Sequence, residues 1–231
     1  TTSLKRFQEL GCNVWNKNMT DPAWLESPHN PVKDNDYMGR IYGAQWRDYC
    51  GVDDSVPLGE SVIKHIDQLQ VALDEIRKPM PGRRIIVNAW NPAELNQAVL
   101  PPCHVMFQLL PHRATNTLHM TMSQRSCDLF LGIPFNIASY ATLLHLFARW
   151  AGYQAGTLTM FLADVHIYEN HLMQVLEQLR RKPLLKPVFI YNPPSDYRTM
   201  NIDELVASIQ PNSIGLRDYQ HHPAIKAPMA R

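Results

Sequence analysis

The chain has 231 residues, room for one large domain or two small ones, and 45% of them are hydrophobic, which is ordinary for a globular core. One domain spanning residues 1–231 is expected. Lys and Arg number 22 against 21 Asp and Glu, with a pI near 7.7, so bulk charge argues against a DNA-binding groove or an acidic membrane surface and gives RNA no special support. Cys12, Cys50, Cys103 and Cys127 lack CxxC spacing, and no basic head with an apolar run opens the chain, which points to reducing cytoplasm. The longest apolar stretch, residues 135–150, is interrupted by Asn136, Ser139, Thr142, His145 and Arg149, and about 16 residues are too few to span a bilayer.

In chain order, residues 1–12 read as a helix already under way at Thr1. Residues 20–40, with Pro22, Pro28, Asn30, Pro31, Asp34 and Gly39, read as a surface loop separating Trp15 from the next ordered block. Residues 59–77 place Val62, Ile63, Ile66, Leu69, Val71, Leu73 and Ile76 at mostly helical spacing ahead of Pro79 and Pro81, which predicts an amphipathic helix with a firm stop. Strand signals follow at 84–90, rich in β-branched residues, at 105–110, and at 118–122, where Leu118, Met120 and Met122 alternate with His119 and Thr121. These suggest antiparallel strands joined near residues 112–116. Residues 136–151 form a nearly all-apolar helix that needs cover on every side and so belongs in the core. A further helix near 170–181 stops at Pro183, and 187–191 read as a strand. The mixture is an α+β domain.

Leu100-Pro-Pro-Cys-His104 sets a thiol just before a strand behind two stiffening prolines. By itself such a thiol is more often a buried, inert cysteine. Downstream, Arg125 could stabilise a thiolate or grip a phosphate with its bidentate fork, and Ser126 could add a hydrogen bond. An exposed ion pair between Arg125 and Asp128 accounts for the same residues equally well.

Six strings go further: GRIYGAQWR (39–47), RRIIVNAWNP (83–92), LPPCH (100–104), QRSCDLFLGIPFNIASY (124–140), ADVHIYENH (163–171) and HPAIKAPMA (222–230). In sequence and order they closely resemble the thymidylate synthase family, over residues 14–230. The resemblance implies a mixed or antiparallel sheet at a homodimer interface, covered by helices that include a buried core helix. It implies conversion of dUMP to dTMP with 5,10-methylenetetrahydrofolate as cosubstrate and no metal. Cys103 would attack C6 of the uracil, making C5 nucleophilic. Tyr42, His104 and Asp128 would stand in the catalytic network, with Asp128 also near the folate. Arg125 and Ser126 would bind the phosphate, and Arg83 and Arg84 that of the partner subunit. Gln124 would line the nucleotide site, Asn136 would read the uracil edge, and His166 and Tyr168, i and i+2 in a strand, would hold the sugar hydroxyl. A helix N-cap is the plainer role for Asn136. Trp15 would pack along the folate, and the tail ending near Ala230 would close over it.

The family also carries an earlier segment, with an arginine loop and a proton-managing glutamate, that has no counterpart in these residues, so a truncated start is expected. Asn16, Ala163 and the terminal Arg231 depart from the family's usual residues. Two related readings share the strings: a dUMP hydroxymethylase, in which water traps the intermediate, and a non-catalytic nucleotide- or RNA-binding protein on the same fold.

Overall fold

In the computed structural model, which describes residues 2–53, 62–210 and 212–229, the chain opens with α1 (Leu4–Glu9), α2 (Asn16–Met19), α3 (Pro22–Leu25) and α4 (Tyr42–Arg47). Ser3 and Asp21 start α1 and α3 by accepting hydrogen bonds from the amides of Arg6 and Ala23, donors that the first turn leaves unpaired. Helices this short need packing to persist. Leu4, Met19, Trp24, Met38, Ile41 and Ala98 supply it as one buried cluster, with Trp15, Tyr37 and Tyr42 at its margin. Residues 20–40 are therefore more than a surface loop. Trp24 and Met38 are buried, and Trp24 Nε1 donates to the Tyr37 carbonyl at 2.9 Å. The segment folds back and brings Trp15 against Tyr42, ring centroids 6.4 Å apart, where a separating loop was expected.

Next come β1 (Tyr49–Asp53), β2 (Val62–Ile66), antiparallel to it, and α5 (Gln68–Arg77). The single helix expected over 59–77 is thus a strand followed by a helix, with 59–61 outside the described residues. Asp67 divides them: its carboxylate accepts from the Gln70 amide at 3.0 Å and caps α5. Before the cap, the β-branched residues favour extended backbone, and Ile63 faces solvent. After it, Leu69, Ala72, Leu73 and Ile76 form the buried stripe of α5.

β3 (Ile86–Asn88), β4 (His104–His112) and β5 (Thr117–Gln124) are consecutive antiparallel neighbours. The β4–β5 turn passes through Asn116 in left-handed backbone, φ 51°. β6 (Cys127–Asp128) and α6 (Gly132–Ala151) lead to β7 (Gln154–Leu162), which joins β5 in parallel, and to β8 (Val165–His166), which pairs with β6. The resulting sheet, β3-β4-β5-β7, is mixed. α7 (Leu172–Arg180), β9 (Val188–Tyr191), α8 (Ile202–Ala207) and β10 (Ile214–Arg217) complete the chain, with β9 and β10 antiparallel.

Alternation along β5 turns Leu118, Met120 and Met122 to one face, where they meet Leu73 and Ile76 of α5 and Tyr140, Leu144 and Phe147 of α6. Covering a side chain as fully as Phe107 is covered stabilises by about 1.5–3 kcal/mol. α6 starts at Gly132, ahead of the run that announced it. Its burial lies mostly in the second half, at Tyr140, Leu144, Leu146, Phe147, Ala148 and Trp150, whereas Phe135 and Ile137 are exposed in the single chain. Among the described residues, no helix is long and apolar enough to cross a membrane.

Candidate active site

Strand pairing carries three distant strings to one place. The β4–β5 register sets His104 opposite Gln124, and the Arg125 amide donates to the Cys103 carbonyl at 2.8 Å, so LPPCH lies against QRSCD. The β6–β8 register sets Asp128 opposite His166, and the Leu129 amide donates to the His166 carbonyl at 3.0 Å, which adds ADVHIY. From α4, Tyr42 accepts a hydrogen bond on its hydroxyl from the Cys103 amide at 2.8 Å.

Around the half-buried Cys103 the polar groups are held in fixed orientations. Arg125 donates through Nε to the Pro102 carbonyl and through Nη2 to the Pro101 carbonyl, both at 2.9 Å, and the same Nη2 is 3.8 Å from Cys103 Sγ. The two prolines thus serve as an anchor for the guanidinium as well as stiffening the approach. Asp128 forms no ion pair with Arg125; its Oδ1 accepts from the amides of Phe130 and Leu131 and shapes the turn into α6. Gln124 Nε2 donates to Asn136 Oδ1 and to the Ser126 carbonyl, each at 3.0 Å, and its own Oε1 is buried without a protein partner. Burial pushes the Tyr42 phenol well up, assisted by the Cys103 charge, so it stays a neutral hydroxyl.

Two expectations need correction, at Asn136 and at Tyr168. Asn136 is the fifth residue of α6, not its N-cap, and its amide is fixed by Gln124. Tyr168 lies beyond the two-residue β8, so strand alternation does not pair it with His166; the chain turns before the 3₁₀ segment Glu169–His171, and the rings meet edge to face at 5.0 Å. Arg83 and Arg84 are exposed ahead of β3, in a cavity of about 400 Å³ beside Val71, Glu75 and Gly82 whose lining includes no other expected site residue. Ala230 lies outside the described residues. Just before it, the Pro228 carbonyl is 2.7 Å from His171 Nε2, and the Met229 carbonyl accepts from Lys17 Nζ in α2, two residues after Trp15.

Comparison with known proteins shows the family. The family model described as thymidylate synthase matches residues 1–231. The chain belongs to the thymidylate synthase family. It is 37% identical to a thymidylate synthase of Pseudomonas syringae pv. tomato over 258 residues, covering 99% of this chain and 79% of that one. It is 36% identical to that of Pseudomonas putida, covering 97% and 78%, and 38% identical to that of Symbiobacterium thermophilum, covering 99% and 73%.

Within this member of the thymidylate synthase family, two residues inside the quoted strings join the site although the resemblance gave them no role. Trp90 lies under the Arg125 guanidinium, 5.5 Å from ring centroid to Cζ, a cation–π contact that further fixes the cation. Asp164, in left-handed backbone at φ 43°, accepts from Ser126 Oγ on Oδ2 at 3.0 Å, while its carbonyl is 2.8 Å from His166 Nδ1. One residue therefore ties the serine to the histidine. The available signal was a short polar residue that tolerates left-handed backbone, two positions before His166.

His104 gives a pH test. Burial holds its imidazole at about 4, below the ordinary 6.5, against a hydrogen bond with Asn136 that favours the cation. The unfolded chain takes up this proton near pH 6.5 and the folded chain only near 4, so the unfolded state binds more protons in that window and stability falls as pH falls through it. Between pH 7 and about pH 5 the native chain should lose about 2 kcal/mol more than His104→Gln in urea unfolding. Equal losses in the two proteins would contradict the assignment.

Proposed function

We propose that the chain, acting as one domain within a cytoplasmic homodimer, converts dUMP to dTMP with 5,10-methylenetetrahydrofolate. The observation that carries this reading is the setting of Cys103, its amide held by Tyr42 and its sulfur 3.8 Å from the Arg125 guanidinium. Cys103 Sγ adds to C6 of the uracil, and the negative charge so created at O4 and C5 turns C5 into a carbon nucleophile. C5 takes the one-carbon unit from the folate, and loss of the C5 proton to solvent lets the C–N bond to the folate break, leaving an exocyclic methylene and tetrahydrofolate. Hydride from that tetrahydrofolate reduces the methylene to a methyl as the Cys103 bond to C6 breaks, giving dTMP, dihydrofolate and the free thiolate.

The remaining residues act by binding and orientation. Arg125 and Ser126 take the phosphate, with Ser126 exchanging its Asp164 partner for a phosphate oxygen. Asn136, its orientation set by Gln124, donates from Nδ2 to uracil O4. A cytosine amino group in that place would meet a donor with a donor. His166, donating from Nδ1 to the Asp164 carbonyl, has Nε2 left as acceptor for the sugar hydroxyl that Tyr168 shares. Trp15, against Tyr42, forms the folate wall, Asp128 stands between the pterin and the uracil ring, and the tail through Pro228 and Met229 shuts water out. The open face of the sheet is assigned to the dimer contact. It carries a cavity of about 380 Å³ lined by Val105, Ser123, Arg125, Phe161 and Ala163, and both Ile86 and Phe161 are exposed there in one chain. Arg83 and Arg84, already at an exposed edge, then reach the phosphate of the partner subunit.

Two measurements test this reading. With dUMP and 5,10-methylenetetrahydrofolate, dTMP and dihydrofolate are expected in equal amounts; a 5-hydroxymethyl product with tetrahydrofolate would assign a hydroxymethylase instead. Arg125→Lys keeps the charge but loses the planar fork that holds two carbonyls and still reaches the sulfur. Its kcat/KM for dUMP should fall about 100-fold with the fold intact, and a change within about twofold would remove Arg125 from the site.

A further inference from the structure

A second cluster of reactive side chains lies on the β1–β2 ribbon. Cys50 and His65 are direct cross-strand partners, so their side chains share a face, and Asp48 stands two residues before Cys50. Asp48 Oδ1, Cys50 Sγ and His65 Nδ1 all lie within 4.8 Å of one another. We propose that these three residues form a binding site for a zinc-type divalent cation, apart from the dUMP chemistry.

Ligand type and spacing both point to that class. A thiolate, an imidazole and a carboxylate together select zinc over the oxygen-only cations. Tetrahedral zinc, with bonds of about 2.3 Å to sulfur and about 2.0–2.2 Å to nitrogen or oxygen, needs ligand atoms about 3.4–3.6 Å apart. Sγ and Nδ1 already stand 3.6 Å apart. Nδ1 and Asp48 Oδ1 are at 2.5 Å, in a direct hydrogen bond, and must open by about 0.9 Å to admit the ion. Their side chains, 59% and 43% exposed, are free to do so, and the same exposure leaves the fourth position to water.

Arg40 is the strongest objection, because a guanidinium stands beside the site. Its position, however, suits an outer-shell role. Nη1 bonds Asp48 Oδ2 at 2.9 Å, the oxygen turned away from His65, and Nη2 donates to Cys50 Sγ at 3.4 Å. Both contacts orient anionic ligands and leave Oδ1 and a sulfur lone pair for the ion. The charge of Arg40 is matched elsewhere: its Nε is 2.8 Å from Glu94 Oε1, and Gln45 Nε2 donates to Glu94 Oε2 at 2.8 Å. Burial works against the Glu94 carboxylate, but the bonds from Arg40 and Gln45 outweigh it and hold the acid below its ordinary range. Asp48 and a Cys50 thiolate then supply two negative charges to a divalent ion. Binding releases the thiol proton to solvent.

The test uses the whole chain, reduced, stripped with a chelator and titrated with Co²⁺, which reports sulfur ligation by a thiolate-to-cobalt absorption band. One equivalent should saturate the band, and Zn²⁺ should abolish it by displacement. Cys50→Ser should remove the band and His65→Ala should weaken binding at least about tenfold, while Cys103→Ser and Cys127→Ser leave it in place. No band with the native chain, a band requiring large excess of metal, or one that survives Cys50→Ser overturns the proposal. If Cys50→Ser does not fold, His65→Ala decides, because that ring is mostly exposed; undiminished affinity there also overturns it.

Discussion

Cys103→Ser should lower kcat by about four orders of magnitude or more while leaving dUMP binding and the melting temperature nearly unchanged. The serine hydroxyl is close in size and can take the place of the thiol beside Arg125, while the amide of residue 103 keeps its bond to Tyr42, but it is a far weaker nucleophile toward carbon. The groups assigned to phosphate, uracil and sugar belong to other residues, so isothermal titration with dUMP should still show a complex. Cys127→Ser is the contrasting case. Cys127 is fully buried, burial pushes its thiol up, and Sγ is 3.9 Å from the Gln124 carbonyl. Its replacement should act mainly on stability. A Cys103→Ser protein with more than about a tenth of native turnover would remove Cys103 from the chemistry.

Gly39→Ala should be among the most destabilising single changes. Gly39 adopts φ 76°, where an L side chain is strained, and an added Cβ would meet the Gln97 carbonyl oxygen at 2.1 Å, the Trp24 ring at 2.9 Å and Ala98 Cα at 3.0 Å. Two of these three are backbone atoms, which cannot rotate aside. They belong to the bridge between Gly39 and Ala98, where the Arg40 amide donates to the Gln97 carbonyl at 2.8 Å and the Val99 amide to the Met38 carbonyl at 3.0 Å. Left-handed strain and the forced shift together should cost on the order of 4 kcal/mol, or about 10 °C in melting temperature for a chain of this size. The bridge joins the segment that leads into Tyr42 to the one that leads into Cys103, so activity should fall further than stability alone requires. A melting temperature within about 2 °C of native would show that the close approach at Gly39 is relieved at little cost.

How much of this can be read before folding differs from residue to residue. The hairpin of β4 and β5 is visible because Leu118, Met120 and Met122 alternate, and that alternation is what buries them. The second half of α6 is visible because its run is nearly all apolar, and that is what buries it. Residues 59–77 mislead because Val62, Ile63 and Ile66 happen to continue the spacing of α5 backwards, and only the cap at Asp67 reveals the break. Residues 20–40 mislead because prolines and polar residues describe the backbone of a loop and say nothing of where Trp24 and Met38 point. Dense strings mark the site residues, but their companions lie inside the same strings with nothing local to single them out. Trp90 and the carbonyls of Pro101 and Pro102 matter because Arg125 reaches them, and Asp164 matters through a backbone angle. The opposition of Cys50 and His65 depends on ribbon register, which no local pattern of residues states.

The central claim is that Cys103 forms a bond to carbon in a complex of nucleotide and folate. Incubation with 5-fluoro-dUMP and 5,10-methylenetetrahydrofolate, followed by denaturation and peptide mass spectrometry, tests it most directly, since fluorine at C5 blocks the loss needed to release the enzyme. A stable adduct of both ligands on the peptide containing Cys103, absent when the folate is omitted, is the predicted result. Nucleotide binding without any adduct, or an adduct on Cys12, Cys50 or Cys127, would contradict it.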